Sequence, residues 1–234
     1  MNICFVVAMQ AEAQPFIDKF GVEEVKDFFA PLPCKLYRAE LEGTTLHVVL
    51  NGQQHGSDLV GCEAASVATL AAIERLHPDL VINSGTCGAF RKNGANIGDV
   101  YVANAVMFHD RRVPGDDAWG TQALGNYPVY ERSAELAQAL GYKMGKVTTG
   151  SSLDMQPCDL QIIEENHGEL KDMEGAAVAF VCSLMHTPVL LIKSVTDLCD
   201  SGAETFEVFK QNLAKASQAI AEANERIVRT LPLT

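Results

Sequence analysis

The sequence predicts an α/β fold, with a central mixed, twisted β-sheet flanked by helices. Short β-branched runs alternate with helix-patterned segments from one end of the chain to the other. Several of those runs are apolar throughout, as strands covered on both faces are. No break in composition, internal repeat or low-complexity linker interrupts the 234 residues, so one domain spanning 1–234 is expected.

The elements follow in order. Ile3–Ala8 reads as a strand and Glu12–Phe20 as a helix with Pro15 tolerated in its first turn. Leu36–Leu41 and Thr45–Asn51 flank the turn signal Glu42-Gly43 and form a hairpin. Ser57–Leu76 is Ala-rich and helical, ending before His77-Pro78. Leu80–Asn83 is a short buried strand that runs into a loop, Ser84–Ala89. Asp99–Phe108 is a strand, and Arg111–Tyr127 is a long excursion of the functional kind. Glu131–Leu140 is a helix, Gly145–Thr149 a strand, Met173–Met185 an apolar helix, Val189–Val195 a buried strand and Ala203–Leu231 an amphipathic closing helix.

Composition narrows the partners. A hydrophobic fraction of 47 % supplies a sizeable core, and a net charge of −12 argues against nucleic acid or an anionic membrane, both of which need a basic patch. The chain carries no expected leader or membrane span, because Met1–Met9 lacks a basic region and no apolar stretch is long enough. Seven scattered cysteines without a C-x-x-C pair read as free thiols in a reducing cytoplasm. The six histidines show no metal-ligand spacing, so neither metal nor cofactor is expected.

Three carboxylates border apolar runs, where charge is avoided unless it is paired, capping or reactive: Glu12, Glu174 and Asp197. Each has a plain reading. Glu12 suits the first turn of a helix, Glu174 suits a helix start with Asp172 as cap, and Asp197 suits a turn. In α/β sheets ligands bind beyond the carboxyl ends of strands. That rule gathers Met9–Glu12, Gly52–Gly56, Ser84–Ala89, Gly150–Asp154 and Thr196–Asp200 at one rim. Gly85-Thr-Cys-Gly88 lacks the spacing and lysine of a phosphate loop and suits close approach to a small uncharged ligand. Cys87 has no nearby histidine to make it a nucleophile.

The motifs Ala8-Met-Gln-Ala-Glu-Ala13, Asn83-Ser-Gly-Thr-Cys-Gly88, Gly94-Ala-Asn-Ile-Gly-Asp99, Phe108-His-Asp-Arg-Arg-Val113, Lys171-Asp-Met-Glu-Gly-Ala-Ala177 and Lys193-Ser-Val-Thr-Asp197 follow one another along the chain. In that order they resemble the 5′-methylthioadenosine nucleosidases, most closely the plant-type branch, within the purine nucleoside phosphorylase/uridine phosphorylase superfamily. The resemblance implies a nucleoside phosphorylase-like fold, a small nucleoside substrate and a homodimer. It implies that Glu12 is the base for a water and that Asp197 protonates adenine N7. Glu174 would bind the ribose hydroxyls with Met173 beside the sugar. Thr86 would lie near the ribose or water, Leu153 would pack on adenine, and Lys193 would support the polar side. Met9, Lys171, Asp172 and Val113 complete the expected substrate-binding set, with Arg111–Pro114 closing the 5′-alkylthio pocket of a neighbouring subunit.

The chemistry independently asks for such residues. Glycosidic cleavage through an oxocarbenium-like transition state needs anionic support at the sugar and a proton for the leaving base. Asp197 must then be protonated, through burial, while a water-facing Glu12 stays ionised. Hydrolysis is favoured over phosphorolysis because Met9–Ala13 offers a carboxylate and no cation, although Arg91, Arg111 and Arg112 remain available. Two departures from the resemblance stand out: Gly150-Ser151-Ser152-Leu153 where Gly-Asp is usual, and Lys193 where bacterial-type members carry arginine.

Overall fold

A computed structural model describes residues 1–113, 118–202 and 204–231. In chain order the strands are β1 (Asn2–Val7), β2 (Glu23–Val25), β3 (Lys35–Leu41), β4 (Thr44–Leu50), β5 (Gln53–Gln54), β6 (Ser57–Asp58), β7 (Leu80–Ala89), β8 (Val100–Phe108), β9 (Lys143–Thr149), β10 (Leu170–Asp172) and β11 (Val189–Leu198). The helices are α1 (Gln10–Phe20), α2 (Cys62–Leu76), α3 (Ala118–Leu124), α4 (Ser133–Leu140), α5 (Pro157–Glu165), α6 (Gly175–Leu184) and α7 (Thr205–Thr230).

Nine strands form one mixed sheet in the order β10-β9-β8-β11-β7-β1-β4-β3-β2. Alternate residues of β1 serve two separate cores, as the two-residue period of a strand requires. Cys4 and Val6 join α2 and α6 in one core, while Ile3, Phe5 and Val7 join α1, α4 and α7 in the other. The expected α/β architecture with a covered central sheet is thus observed.

One extra pairing positions the site. β10 runs parallel to β9 on one side and antiparallel to the distal end of β7 on the other, with Leu170 opposite Ala89 and Lys171 opposite Gly88. Half of the sheet therefore curls until its edge meets its centre. This explains why Ser84–Ala89 is not the expected loop. Its backbone groups are claimed by β10 and by β11, so β7 continues through it to Ala89.

Other boundaries also shift for physical reasons. The Ala-rich helix starts at Cys62 rather than Ser57, because Gly61 holds φ +93° and ends the preceding loop, whose Ser57–Asp58 pairs with Gln53–Gln54. α1 begins two residues earlier than expected, so Pro15 lies in its second turn instead of its first. The buried strand at Val189 runs on through Asp197, with a bulge between Val195 and Asp197. The excursion after Arg111 contains α3, and its Pro114 lies outside the described residues, as does Ala203 at the start of the expected closing helix. Short α5 and β10 had no distinct apolar period to announce them.

α2 packs on α6 largely through alanines, with Ala65, Ala68, Ala72, Ala176 and Ala179 fully buried. Such a small-residue seam has no room for extra methylenes. Ala68→Leu is expected to destabilise the fold by about 1–3 kcal/mol through overpacking. Urea denaturation reads this directly, and an unchanged midpoint would show the seam to be loose.

Candidate active site

A cavity of about 260 Å³ opens at the carboxyl ends of β1, β7, β10 and β11. Glu12, Glu174 and Asp197, which arrive from three distant parts of the chain, all line it. Met9, Thr86, Leu153, Lys171, Asp172 and Met173 line it too, so the closed sheet brings most of the expected residues together.

Glu12 occupies the first turn of α1, and both readings of it hold. Its Oε2 accepts from the Met9 backbone N–H at 3.3 Å, a helix-capping bond, while Oε1 accepts from the Thr86 N–H and hydroxyl, each at 2.7 Å. Glu12 is 5 % exposed and lines the cavity. Burial pushes its carboxyl up, and the Thr86 bonds, the Lys193 charge and the Met9 bond restrain that rise.

Glu174 precedes α6 and accepts from the Gly61 N–H at 2.7 Å, which ties the start of α2 to the site. It does not cap its own helix. That task falls to Asp172, whose Oδ2 accepts from the Gly175 N–H at 2.8 Å and ion-pairs with Lys193 Nζ at 2.6 Å. Burial, then the neighbouring Asp172 charge, pushes the Glu174 carboxyl up to about 7. Lys193 is itself 1 % exposed and lies behind the cavity wall. Burial alone would lower its pKa, but Asp172, Glu174 and Glu12 outweigh burial and hold it raised.

Asp197 is 5 % exposed and sits just after the β11 bulge, so it is neither a turn nor a cap. Its Oδ1 accepts from the Thr196 hydroxyl at 2.9 Å, and that hydroxyl also lies 3.1 Å from the Cys87 carbonyl oxygen. Burial raises the Asp197 carboxyl, with the Thr196 bond and the Lys171 charge pulling the other way. Gly88 stands opposite Asp197, and a Cβ there would lie 2.9 Å from Asp197 Oδ2 and 2.6 Å from Cys199 Sγ. Only glycine allows the carboxyl this position.

Leu153 is held from behind, because Lys171 Nζ donates to the Ser152 and Leu153 carbonyls at 2.7 and 3.0 Å. Cys87 is a buried thiol whose pKa is driven well up by burial, which removes it as a nucleophile. Val113 lies elsewhere, in a groove with Arg111, Arg112 and Ile162. The guanidinium of Arg111 stacks 4.1 Å from the Phe108 ring centre, and Arg112 pairs with Asp159 at 3.1 Å. No arginine is among the described residues that line the cavity. Among the described residues no group of three or more His, Cys, Asp or Glu is arranged to hold a metal ion.

Sequence reasoning missed Val60, Met155, Phe206 and Phe209, which also line the cavity. Phe206 and Phe209 are spaced i, i+3 in the first two turns of α7, a pair readable as one apolar face had that helix end been directed toward the rim.

A buried acid-lined cavity at the strand ends of such a sheet defines a class, and the profile of the phosphorylase superfamily matches residues 2–229. A 5′-methylthioadenosine nucleosidase of Arabidopsis thaliana is 42 % identical over 97 % of this chain and 86 % of its own length. A 5′-methylthioadenosine/S-adenosylhomocysteine nucleosidase of the same plant is 39 % identical over 97 % of this chain and 90 % of its own. The solved apo structure of Arabidopsis thaliana 5′-methylthioadenosine nucleosidase superposes with a TM-score of 0.96 at 40 % identity, covering 100 % of this chain and 96 % of that one. This chain belongs to the phosphorylase superfamily, in its 5′-methylthioadenosine nucleosidase family, on the plant-type side.

The raised Glu174 carboxyl has a thermodynamic consequence. With a folded pKa of about 7 above an ordinary value of 4.5, the folded state holds the proton more tightly than the unfolded chain. Its contribution is complete below pH 4.5 and is lost as pH rises through 7. Glu174→Gln cannot ionise. Relative to wild type the ligand-free variant is expected to gain on the order of 1–3 kcal/mol between acidic and mildly alkaline pH. Thermal or urea melts across that window check it, and parallel pH profiles for the two proteins would refute the assignment.

Proposed function

We propose that this protein hydrolyses the N-glycosidic bond of 5′-methylthioadenosine, releasing adenine and the 5-thio-ribose for methionine salvage. The observation that carries the reading is Glu12. Its carboxylate is held by Thr86 and Met9 on a cavity wall that also presents Asp197, and the described lining holds no arginine to receive phosphate. A carboxylate in that place repels an anionic nucleophile and suits water.

Glu12 takes a proton from the attacking water, and Asp197 delivers one to N7 as the bond to the sugar breaks. Burial suits Asp197 to its task, since an acid must reach the bound substrate still protonated. The three donors to Glu12 and the Lys193 charge favour its anionic form against the upward push of burial. Glu174 bonds the ribose hydroxyls and Met173 flanks the sugar. Leu153 packs on adenine along a loop held by Lys171, with Met9 and Thr86 near the ribose. Asp172 and Lys193 act one step back, as the ion pair that sets the electrostatics of the wall.

S-adenosylhomocysteine is a second substrate on this reading, supported by the likeness to the plant enzyme named for both nucleosides. The protein works as a homodimer, with Val113 and its neighbours reaching the partner's 5′-alkylthio pocket. Exposed Val67 and Leu70 on α2 and Leu184 on α6 supply apolar surface for that contact. A cytoplasmic setting fits seven free cysteines. No helix among the described residues is long and apolar enough to cross a membrane.

Two measurements test the reading. Adenine release from 5′-methylthioadenosine is expected to proceed at the same rate with and without phosphate, and a phosphate requirement would overturn the hydrolase assignment. Glu12→Gln and Asp197→Asn are each expected to lower kcat by at least ~10²-fold while leaving the fold intact; near-wild-type turnover in either removes that residue from the mechanism.

A further inference from the structure

Lys171 is a buried cation in an unusual position. It is 5 % exposed and lines the cavity, yet no carboxylate among the described residues ion-pairs with it. Lys193, by contrast, is paired directly with Asp172. The Lys171 ammonium spends two of its three N–H donors on the carbonyls of Ser152 and Leu153, which leaves one without an acceptor among the described residues. A desolvated ammonium in that condition is an electrostatic resource for whatever negative charge arises nearby.

The sheet determines what is nearby. Gly88 is the register partner of Lys171 across β10 and of Asp197 across β11. Strand spacing of ~4.8 Å on each side sets the two Cα atoms roughly 10 Å apart, with no side chain on the glycine between them. The other titratable groups around the cavity are Glu12, Asp172 and Glu174 together with the thiols Cys87 and Cys199, and Asp200 follows Cys199. α7 contributes Thr205, Phe206 and Phe209 and no charge. Of the two ammonium groups, Lys171 is the one whose field bears on Asp197, against the upward push of burial. Lys193 acts instead on Glu12 and Glu174.

On the reading that Asp197 protonates adenine, we propose that Lys171 is a positioning residue for leaving-group departure. Its one ammonium group pins the adenine-side loop through Ser152 and Leu153 and is the counter-charge for Asp197 once that carboxyl has given up its proton. In the step concerned the O–H bond of Asp197 breaks and the N7–H bond forms, while the electron pair of the C1′–N9 bond passes to the purine. Water oxygen joins C1′ and the water's proton goes to Glu12. Asp197 is left anionic beside Lys171 and regains a proton from solvent as adenine leaves. The two lysines thereby divide the site, Lys193 serving the water and sugar side and Lys171 the base side.

The test compares Lys171→Gln and Lys171→Met with Lys171→Arg, using the pH dependence of kcat/KM for 5′-methylthioadenosine. The alkaline limb reports loss of the Asp197 proton. In the neutral variants that limb is expected to move up by about one pH unit, because the cation that eased ionisation is gone. Their kcat is expected to fall about tenfold or more on the adenine nucleoside. A 4-nitrophenyl riboside bearing the same 5′-methylthio group, whose leaving group needs no proton, should be nearly unaffected. Lys171→Arg should retain the wild-type limb. An unmoved limb with equal losses on both substrates would reduce Lys171 to loop support and overturn the proposal. Thermal melts identify a variant that fails to fold; Lys171→Gln keeps a donor for the loop carbonyls and carries the comparison if Lys171→Met does not fold. Asp197→Asn is run alongside: an alkaline limb that survives in it places the acid elsewhere, which defeats the role given to Asp197 and is distinguishable from an unmoved limb in the Lys171 variants.

Discussion

Among the described residues, four carboxyl groups line one cavity, and two ammonium groups meet them in its wall or just behind it. Glu12, Asp172, Glu174 and Asp197 stand against Lys171 and Lys193, all drawn largely out of water. Buried charges of one sign cannot all remain ionised, since each loses hydration and repels the others. The Lys193–Asp172 pair is the arrangement that makes the rest tolerable. It neutralises one acid outright, and its cation restrains the rise of both Glu12 and Glu174. Burial raises the carboxyls of Glu12, Glu174 and Asp197, and a carboxyl so raised is suited to acid catalysis.

That concentration of charge depends on the curl of the sheet. β10 is three residues long, yet it pairs with β9 on one side and β7 on the other. Lys171 and Asp172 are thereby delivered to the wall formed by β7 and β11, and Glu174 follows one turn of chain later. Gly61 and Glu174 then join α2 to the same rim, so that two helices start where the acids collect. Positive helix ends and backbone N–H groups supply donors that side chains alone would not provide. Stability and chemistry pull against each other here, because the network that equips the cavity also carries desolvated charge.

Much of the site was legible in the chain because charge beside apolar runs is rare and strand ends are where ligands bind. Glu12, Glu174 and Asp197 stood out beside apolar runs, Glu12 and Asp197 also at strand ends, and the motif order gave Thr86 and Leu153 their expected roles. Other features were hidden for identifiable reasons. Ser84–Ala89 reads as a loop because Gly, Ser and Thr are turn formers locally, whereas two flanking strands force it to be extended. The first two turns of α7 read as an amphipathic surface, whereas Phe206 and Phe209 face the cavity. The hold of Thr86 on Glu12 was also hidden, because Thr86 approaches from a strand more than seventy residues away.

The sequence by itself determined the alternation of strands and helices, the family, the identity of the three acids and the lack of a cation within Met9–Ala13. These are local or patterned properties, set by periodicity and by residue type at the ends of elements. Tertiary structure alone decided how the acids share charge: that Asp172, the expected cap of α6, also pairs with Lys193, that Glu174 answers to Gly61, and that Gly88 brings Lys171 and Asp197 to either side of one missing side chain. A pKa depends on distance and burial, and both are fixed by the closure of the sheet rather than by any run of neighbouring residues.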